Sequence, residues 1–129
     1  MQLPLLGNLS VADFLHHHWQ KSPLFVPQAF PDFKNFLNRQ ELFELACSDE
    51  VISRLVICEK GQWRVEQGPF KLQRLKKLPP TGWSLLVQNL NHLLPEAADL
   101  FYQFNFLPYA RLDDLMVSYA PEGGGVGPH

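Results

Sequence analysis

This chain has too little cysteine to build a disulfide framework or a zinc ribbon. Its two cysteines, Cys47 and Cys58, form no Cys-x-x-Cys pair, and they read as reduced thiols of a cytoplasmic protein. It also lacks an excess of charge. Eleven Lys and Arg stand against 13 Asp and Glu, for a net charge of −2, so there is no electrostatic case for direct binding to nucleic acid or to an anionic membrane. No apolar run approaches the roughly 18 residues that suggest a membrane span. The opening Met1-Gln2-Leu3-Pro4-Leu5-Leu6 has neither a basic n-region nor a long apolar h-region, so no signal peptide is expected. Internal repeats and low-complexity linkers are missing too. What remains is a protein of 129 residues, 46% hydrophobic and rich in phenylalanine. That is enough for one globular unit spanning 1–129, though small for a complete barrel enzyme.

Local signals place the elements. Ser10 and Asp13 resemble a capping box, with Leu9 and Phe14 at staple positions. Val11, Phe14, Leu15, His18 and Trp19 follow helical spacing and predict one buried stripe, ended by Pro23. Leu24-Phe25-Val26 reads as a short strand. Asn38 and Glu41 form a second capping box, opening a helix that turns Leu42, Leu45 and Ala46 inward. Ile52 to Cys58, a turn at Glu59-Lys60-Gly61, and the alternating Gln62 to Gln67 predict a hairpin with Trp63 and Val65 on one face. Lys71 to Lys77 suggests a short basic helix, and Trp83 to Val87 a buried strand. Asn91 to Phe104 is expected to be helical, starting near Leu94 because Pro95 fits only the first turn. Leu112 to Tyr119 is the last strand. It should carry Leu115, Val117 and Tyr119 on one face and Met116 and Ser118 on the other. Without regular βαβ alternation the fold class is α+β.

Few residues offer chemistry. His16-His17-His18 point in three directions from a helix and cannot share a metal. His18 falls on the apolar stripe, and His92 reads as a cap or packing residue. Asp113-Asp114 face opposite sides of a strand, so they form no shared-proton dyad; one of them is expected to hold Arg111 or support the following loop. No Ser-His-Asp or Cys-His arrangement emerges. The basic group Lys71, Arg74, Lys76 and Lys77 reads as a solvated face. The run Gly123-Gly124-Gly125-Val126-Gly127-Pro128-His129 remains. It is not a phosphate loop, since no Gly-Lys-Ser/Thr follows. It reads either as a frayed tail or as a backbone that bends sharply to bring a histidine to a ligand.

Several stretches together resemble the N-terminal part of the bacterial cupin-4, JmjC-type ribosomal oxygenases, and among them the ribosomal protein arginine hydroxylases. They are Ser53-Arg54-Leu55-Val56, Gly61-Gln62-Trp63-Arg64-Val65, Gly68-Pro69-Phe70, Trp83-Ser84-Leu85-Leu86-Val87-Gln88 with Asn91-His92, Asp113-Asp114-Leu115-Met116-Val117-Ser118, and Gly123 to His129. Trp19-Gln20-Lys21-Ser22-Pro23 fits the end of the family's N-terminal helix. The resemblance implies an α+β unit whose antiparallel strands form an incomplete cupin barrel, a double-stranded β-helix or jelly roll. It implies a protein hydroxylase that uses Fe(II) and 2-oxoglutarate on a ribosomal protein. His129 then maps onto the first ligand of a His-x-Asp…His triad, approached through the loop of Gly123, Gly124, Gly125, Gly127 and Pro128. The other two ligands map onto nothing in these residues. The chain alone is therefore expected to be inactive and to bind neither iron nor 2-oxoglutarate tightly. It is also expected to self-associate through open barrel edges, and its glycine-rich tail to be mobile or held by a neighbouring molecule. The alternative is a non-enzymatic α+β module for interaction or oligomerisation.

Overall fold

The computed structural model describes residues 3–129. It forms two compact units, Met1–Asn35 and Phe36–His129. In the first, helix α1 spans Val11–His17. Ser10 caps it: the extended Ser10 backbone lets its Oγ accept from the Asp13 N–H at 3.0 Å. Val11, Phe14, Leu15, His18 and Trp19 are the half-buried positions, and Ala12, Asp13, His16 and His17 between them are exposed. The spacing thus indicated the right face. The stop signal was different. The helix ends at His17 with His18 as its cap, and Gln20 then takes a positive φ of 57°, all before Pro23 is reached. The strand expected at Leu24–Val26 is absent; Phe25 is 86% exposed and pairs with nothing in a sheet. Three apolar residues without a partner strand cannot satisfy their backbone by a ladder.

The second unit is an antiparallel sheet with helices packed against it. Helix α2, Arg39–Ala46, opens on the complete capping box expected from the sequence. The Glu41 N–H donates to Asn38 Oδ1 and the Asn38 N–H to Glu41 Oε2, at 2.9 and 2.8 Å. Strands β1 (Ser53–Glu59) and β2 (Gln62–Gln67) form the hairpin. Its turn is shorter than expected: Lys60 and Gly61 alone, with φ of 51° and 75°. Positive φ at both central residues is the hairpin turn whose twist matches the strands. Helix α3 (Leu72–Lys76), strand β3 (Trp83–Val87), helix α4 (Pro95–Tyr102) and strand β4 (Val117–Tyr119) follow. Pro95 occupies the first turn of α4, where its missing N–H costs nothing.

The strand order is β2-β1-β3-β4, all pairs antiparallel, and the sheet does not close on itself. The α+β class with open antiparallel strands therefore holds. Strand β4 is shorter than the sequence suggested. Residues 112–116 spend their polar groups elsewhere: Asp114 Oδ2 accepts from the Asn89 N–H at 2.7 Å, and the Leu115 N–H donates to Asn91 Oδ1 at 3.0 Å. Hydrogen bonds of this kind, with a side chain as one partner, compete with a ladder. Asp114 thus supports the loop after β3 and does not hold Arg111.

Register sorts the two faces. Leu55, Ile57, Trp83, Leu85 and Val87 form one buried face, joined by Leu42, Phe43 and Ala46 of α2 and by Leu75, Leu90 and Ala97. Leu45, Leu115, Val117 and Tyr119 pack against that core, as their spacing required. Phe43, which the helix reading left out, belongs to the core as well. Every β3 residue is buried, which explains why four of its five residues are apolar, Ser84 being the exception. Trp83 is only 1% exposed and sits between Phe43 and Tyr119, with ring centroids 6.2 and 5.7 Å away. The Arg39 guanidinium lies over all three rings. Both cysteines are free; burial, and next the Glu44 carboxylate, push the Cys47 thiol above its ordinary range.

On β2, Glu66 accepts from both Arg74 Nε and Nη2, at 3.2 and 2.7 Å. Hydrogen bonding to Arg74 is the main cause that lowers the Glu66 pKa, against opposing desolvation. A depressed carboxylate stabilises the fold above its unfolded pKa, and that contribution disappears as pH falls through the folded value. Both side chains are about a third exposed, so solvent screens the pair. The stability lost in Glu66→Gln, read from urea midpoints, should be largest near neutral pH and shrink in acid. An unchanged difference at both ends would show that the pair contributes through packing.

Candidate functional site

The second face of the sheet is chemically different. Arg54, Leu86 and Ser118 pair across β1, β3 and β4, and Val56 and Ser84 form the next row. Arg54 and Ser84 carry buried polar atoms, Nε and Oγ, with no hydrogen-bond partner. Arg54 Nη2 reaches only the Met116 sulfur, at 3.8 Å. Buried polar groups are normally paired, so this face holds polar capacity that the described residues leave unused. At its edge Trp63 (47% exposed) and Val65 of β2 are exposed, as is Met116 beside β4.

The glycine-rich run comes to rest on this face. Gly123 and Gly127 take φ of 73° and 82°, conformations that favour glycine. The Gly124 N–H donates to the Pro121 carbonyl at 2.9 Å. A Cβ on Gly124 would lie 2.3 Å from the Trp83 carbonyl oxygen, so only glycine lets the loop approach the start of β3 this closely. Gly125 and Gly127 lie over the Trp63 indole; Cβ atoms there would stand 3.9 and 3.7 Å from it. The tail expected to be mobile or held by another molecule thus has contacts within its own fold. Pro128 and His129 are exposed at its end. His129 Nδ1 lies 3.0 Å from the Gly127 carbonyl. A carbonyl only accepts, so this contact calls for a proton on Nδ1, and Nε2 is the nitrogen left outside it. An imidazole held through one nitrogen can ligate a metal through the other.

The other titratable candidates are not brought together. His16 and His17 are exposed on α1 with their rings edge-on at 4.6 Å, and His18 stacks on Phe14. His92 and Asp113 are exposed, and Asp114 is spent on the loop after β3. Among the described residues no group of three or more His, Cys, Asp or Glu can hold a metal ion. His129 is a single donor, so the residues present do not make a complete iron site. Sequence reading missed the roles of Trp63, Arg54 and Ser84. No local signal pointed to them, since their contacts join positions far apart in the sequence.

The four-stranded open sheet with its helices has the fold seen in the ribosomal oxygenases. The solved structure of YcfD, a ribosomal oxygenase from Escherichia coli, superposes with a TM-score of 0.85 at 45% identity, covering 94% of this chain and 33% of that protein. The chain is homologous to the ribosomal protein uL16 3-hydroxylase of Escherichia coli (strain K12) and matches the N-terminal portion of that longer protein. Identity there is 46% over 121 residues, 94% of this chain and 32% of the relative. The probable ribosomal oxygenase of Haemophilus influenzae is 41% identical over 117 residues, 90% of this chain and 29% of that one. The chain thus spans about a third of the length of the relatives it matches. No family model matches it. YcfD has also been solved with cobalt and succinic acid, and with cobalt and 2-oxoglutarate. No helix among the described residues is long and apolar enough to cross a membrane.

Proposed function

We propose that residues 1–129 are the N-terminal part of a cupin-type Fe(II)/2-oxoglutarate-dependent protein hydroxylase acting on a ribosomal protein in the cytoplasm. The carrying observation is homology along 94% of the sequence to a ribosomal protein hydroxylase. Iron(II) with 2-oxoglutarate would supply the oxidation of a C–H bond in the substrate protein. The contribution of these residues is narrower. The glycine loop passes over Trp63 and close to the Trp83 carbonyl, and its part in the intact enzyme is to present His129 as one metal ligand. Arg54 Nε and Ser84 Oγ are buried on the second sheet face without a hydrogen-bond partner among the described residues. The remaining ligands must come from residues beyond these 129.

Joined to the remaining two thirds of the Escherichia coli uL16 3-hydroxylase, the chain should support succinate formation from 2-oxoglutarate with Fe(II). Alone, it should form no more succinate than its His129→Ala variant. Succinate from the isolated protein above that control would refute the division of the site. The open edges β2 and β4 carry unpaired backbone groups, and Trp63 and Val65 lie exposed on the first of them. The isolated protein should therefore self-associate. Sedimentation showing a monomer over a wide concentration range would contradict that.

A further inference from the structure

At the end of β3 away from the glycine loop, the structure forms a second recess. The backbone leaves Val87 through Asn89 and Asn91, runs along α4, and returns past Tyr109 to Val117, which pairs with Val87. The segment encloses an open cleft of about 530 Å³ lined by His92, Asp99, Phe101, Tyr102, Tyr109 and Asp113 among others. None of its lining residues is Lys or Arg. Asp99 and Asp113 are exposed, and among the described residues every ion pair is made by Arg64 or Arg74, neither of which lines this cleft. Both carboxylates therefore face the cleft without a cation. Tyr102 and Tyr109 are 62% and 67% exposed. Two large aromatic rings left in water beside two unpaired carboxylates suit one kind of occupant. A cationic side chain gains charge-assisted hydrogen bonds from the acids and attraction to the ring faces, and its aliphatic stem covers the aromatic surface. The wider segment has the same sign: Glu96, Asp99, Asp113 and Asp114 against Arg111.

We propose that this cleft docks a lysine- or arginine-bearing segment of a partner protein. It lies apart from the glycine loop, and the inference does not depend on the oxygenase reading. Charge complementarity selects the partner; the tyrosines favour a side chain with a delocalised or polarising cation over a neutral one. The probe is an acetylated, amidated Lys-Arg-Lys-Arg peptide, with Ser-Gly-Ser-Gly as its neutral counterpart, titrated into the full 129-residue protein and followed by backbone amide shifts. Perturbations should cluster in residues 91–113 and weaken with added salt. The Asp99→Asn/Asp113→Asn double variant should lose about ten-fold in affinity, and Tyr102→Ala/Tyr109→Ala should lose affinity with charge unchanged. All four positions are exposed, so matched thermal melts will show that the variants remain folded. Shifts spread evenly over every acidic residue, equal binding of the neutral peptide, or unchanged affinity in the tyrosine variant would each overturn the proposal.

Discussion

Trp83→Ala should remove about 3–5 kcal/mol of unfolding free energy, a large share of the roughly 5–15 kcal/mol typical of a domain. Trp83 is a fully buried indole on a central strand, packed between Phe43 of α2 and Tyr119 of β4. Its truncation opens a cavity where three elements meet, and a close-packed core collapses only partly into such a space. Two further losses add to it. Trp83 Nε1 donates to the Pro79 carbonyl at 2.6 Å, and the Arg39 guanidinium loses one of the three rings beneath it. Trp83→Phe separates these effects: it keeps most of the apolar volume and gives up the hydrogen bond, about 1 kcal/mol. Urea unfolding should rank wild type, Phe and Ala in descending stability. A loss below about 1 kcal/mol for the alanine variant would mean the indole does not hold the sheet to α2.

Gly124→Ala should displace the glycine-rich loop, while Gly125→Ala should not. The atoms a Gly124 Cβ would meet are the Trp83 carbonyl oxygen at 2.3 Å, Ala120 Cβ at 3.0 Å and the Pro121 carbonyl at 3.0 Å. Two of the three are backbone, and the Trp83 carbonyl belongs to the buried strand β3, so the neighbours cannot turn aside. Overpacking of this kind costs about 1–3 kcal/mol, and the loop, with few other contacts, gives way first. At Gly125 the nearest atom is the far edge of the Trp63 ring at 3.9 Å, an ordinary contact. The readout is the Gly127 backbone signal: this residue lies over the Trp63 indole and should carry its ring-current shift. Gly124→Ala should abolish that shift and Gly125→Ala preserve it. Equal behaviour of the two variants would show that the loop does not rest on β3.

The parts of this fold that could be read from the sequence are those set by single residues or by residues close together in the chain. Ser10 with Asp13, Asn38 with Glu41, Lys60-Gly61 and Pro95 each define a helix start or a turn through local hydrogen bonds or fixed dihedrals. The buried run Trp83–Val87 was equally plain, because a strand covered on both faces is mostly apolar, here at every position but Ser84. Two errors share one cause. Leu24–Val26 has strand composition but no neighbour to pair with, and residues 112–116 have strand spacing but give their polar groups to Asn89 and Asn91. Strand formation depends on distant partners, and composition does not reveal them. The candidate site shows the same division. Histidine after a glycine-rich run was visible as a pattern. That the loop would lie over Trp63 and close to the Trp83 carbonyl was not, since those contacts join positions far apart in sequence. Arg54 and Ser84 looked like ordinary strand residues until register placed them with Ser118 on one face.

The proposed function rests on His129 acting as a metal ligand, and cobalt(II) binding tests it most directly. The protein to use is the chimera in which these residues replace the matched third of YcfD, a protein already solved with cobalt. Titrated with cobalt(II) and followed by visible absorption, the chimera should bind one equivalent, and His129→Ala should lose that binding while melting normally. A folded His129→Ala chimera that binds cobalt(II) with the same spectrum and affinity would contradict the assignment of His129 and the reading of the glycine loop as its support.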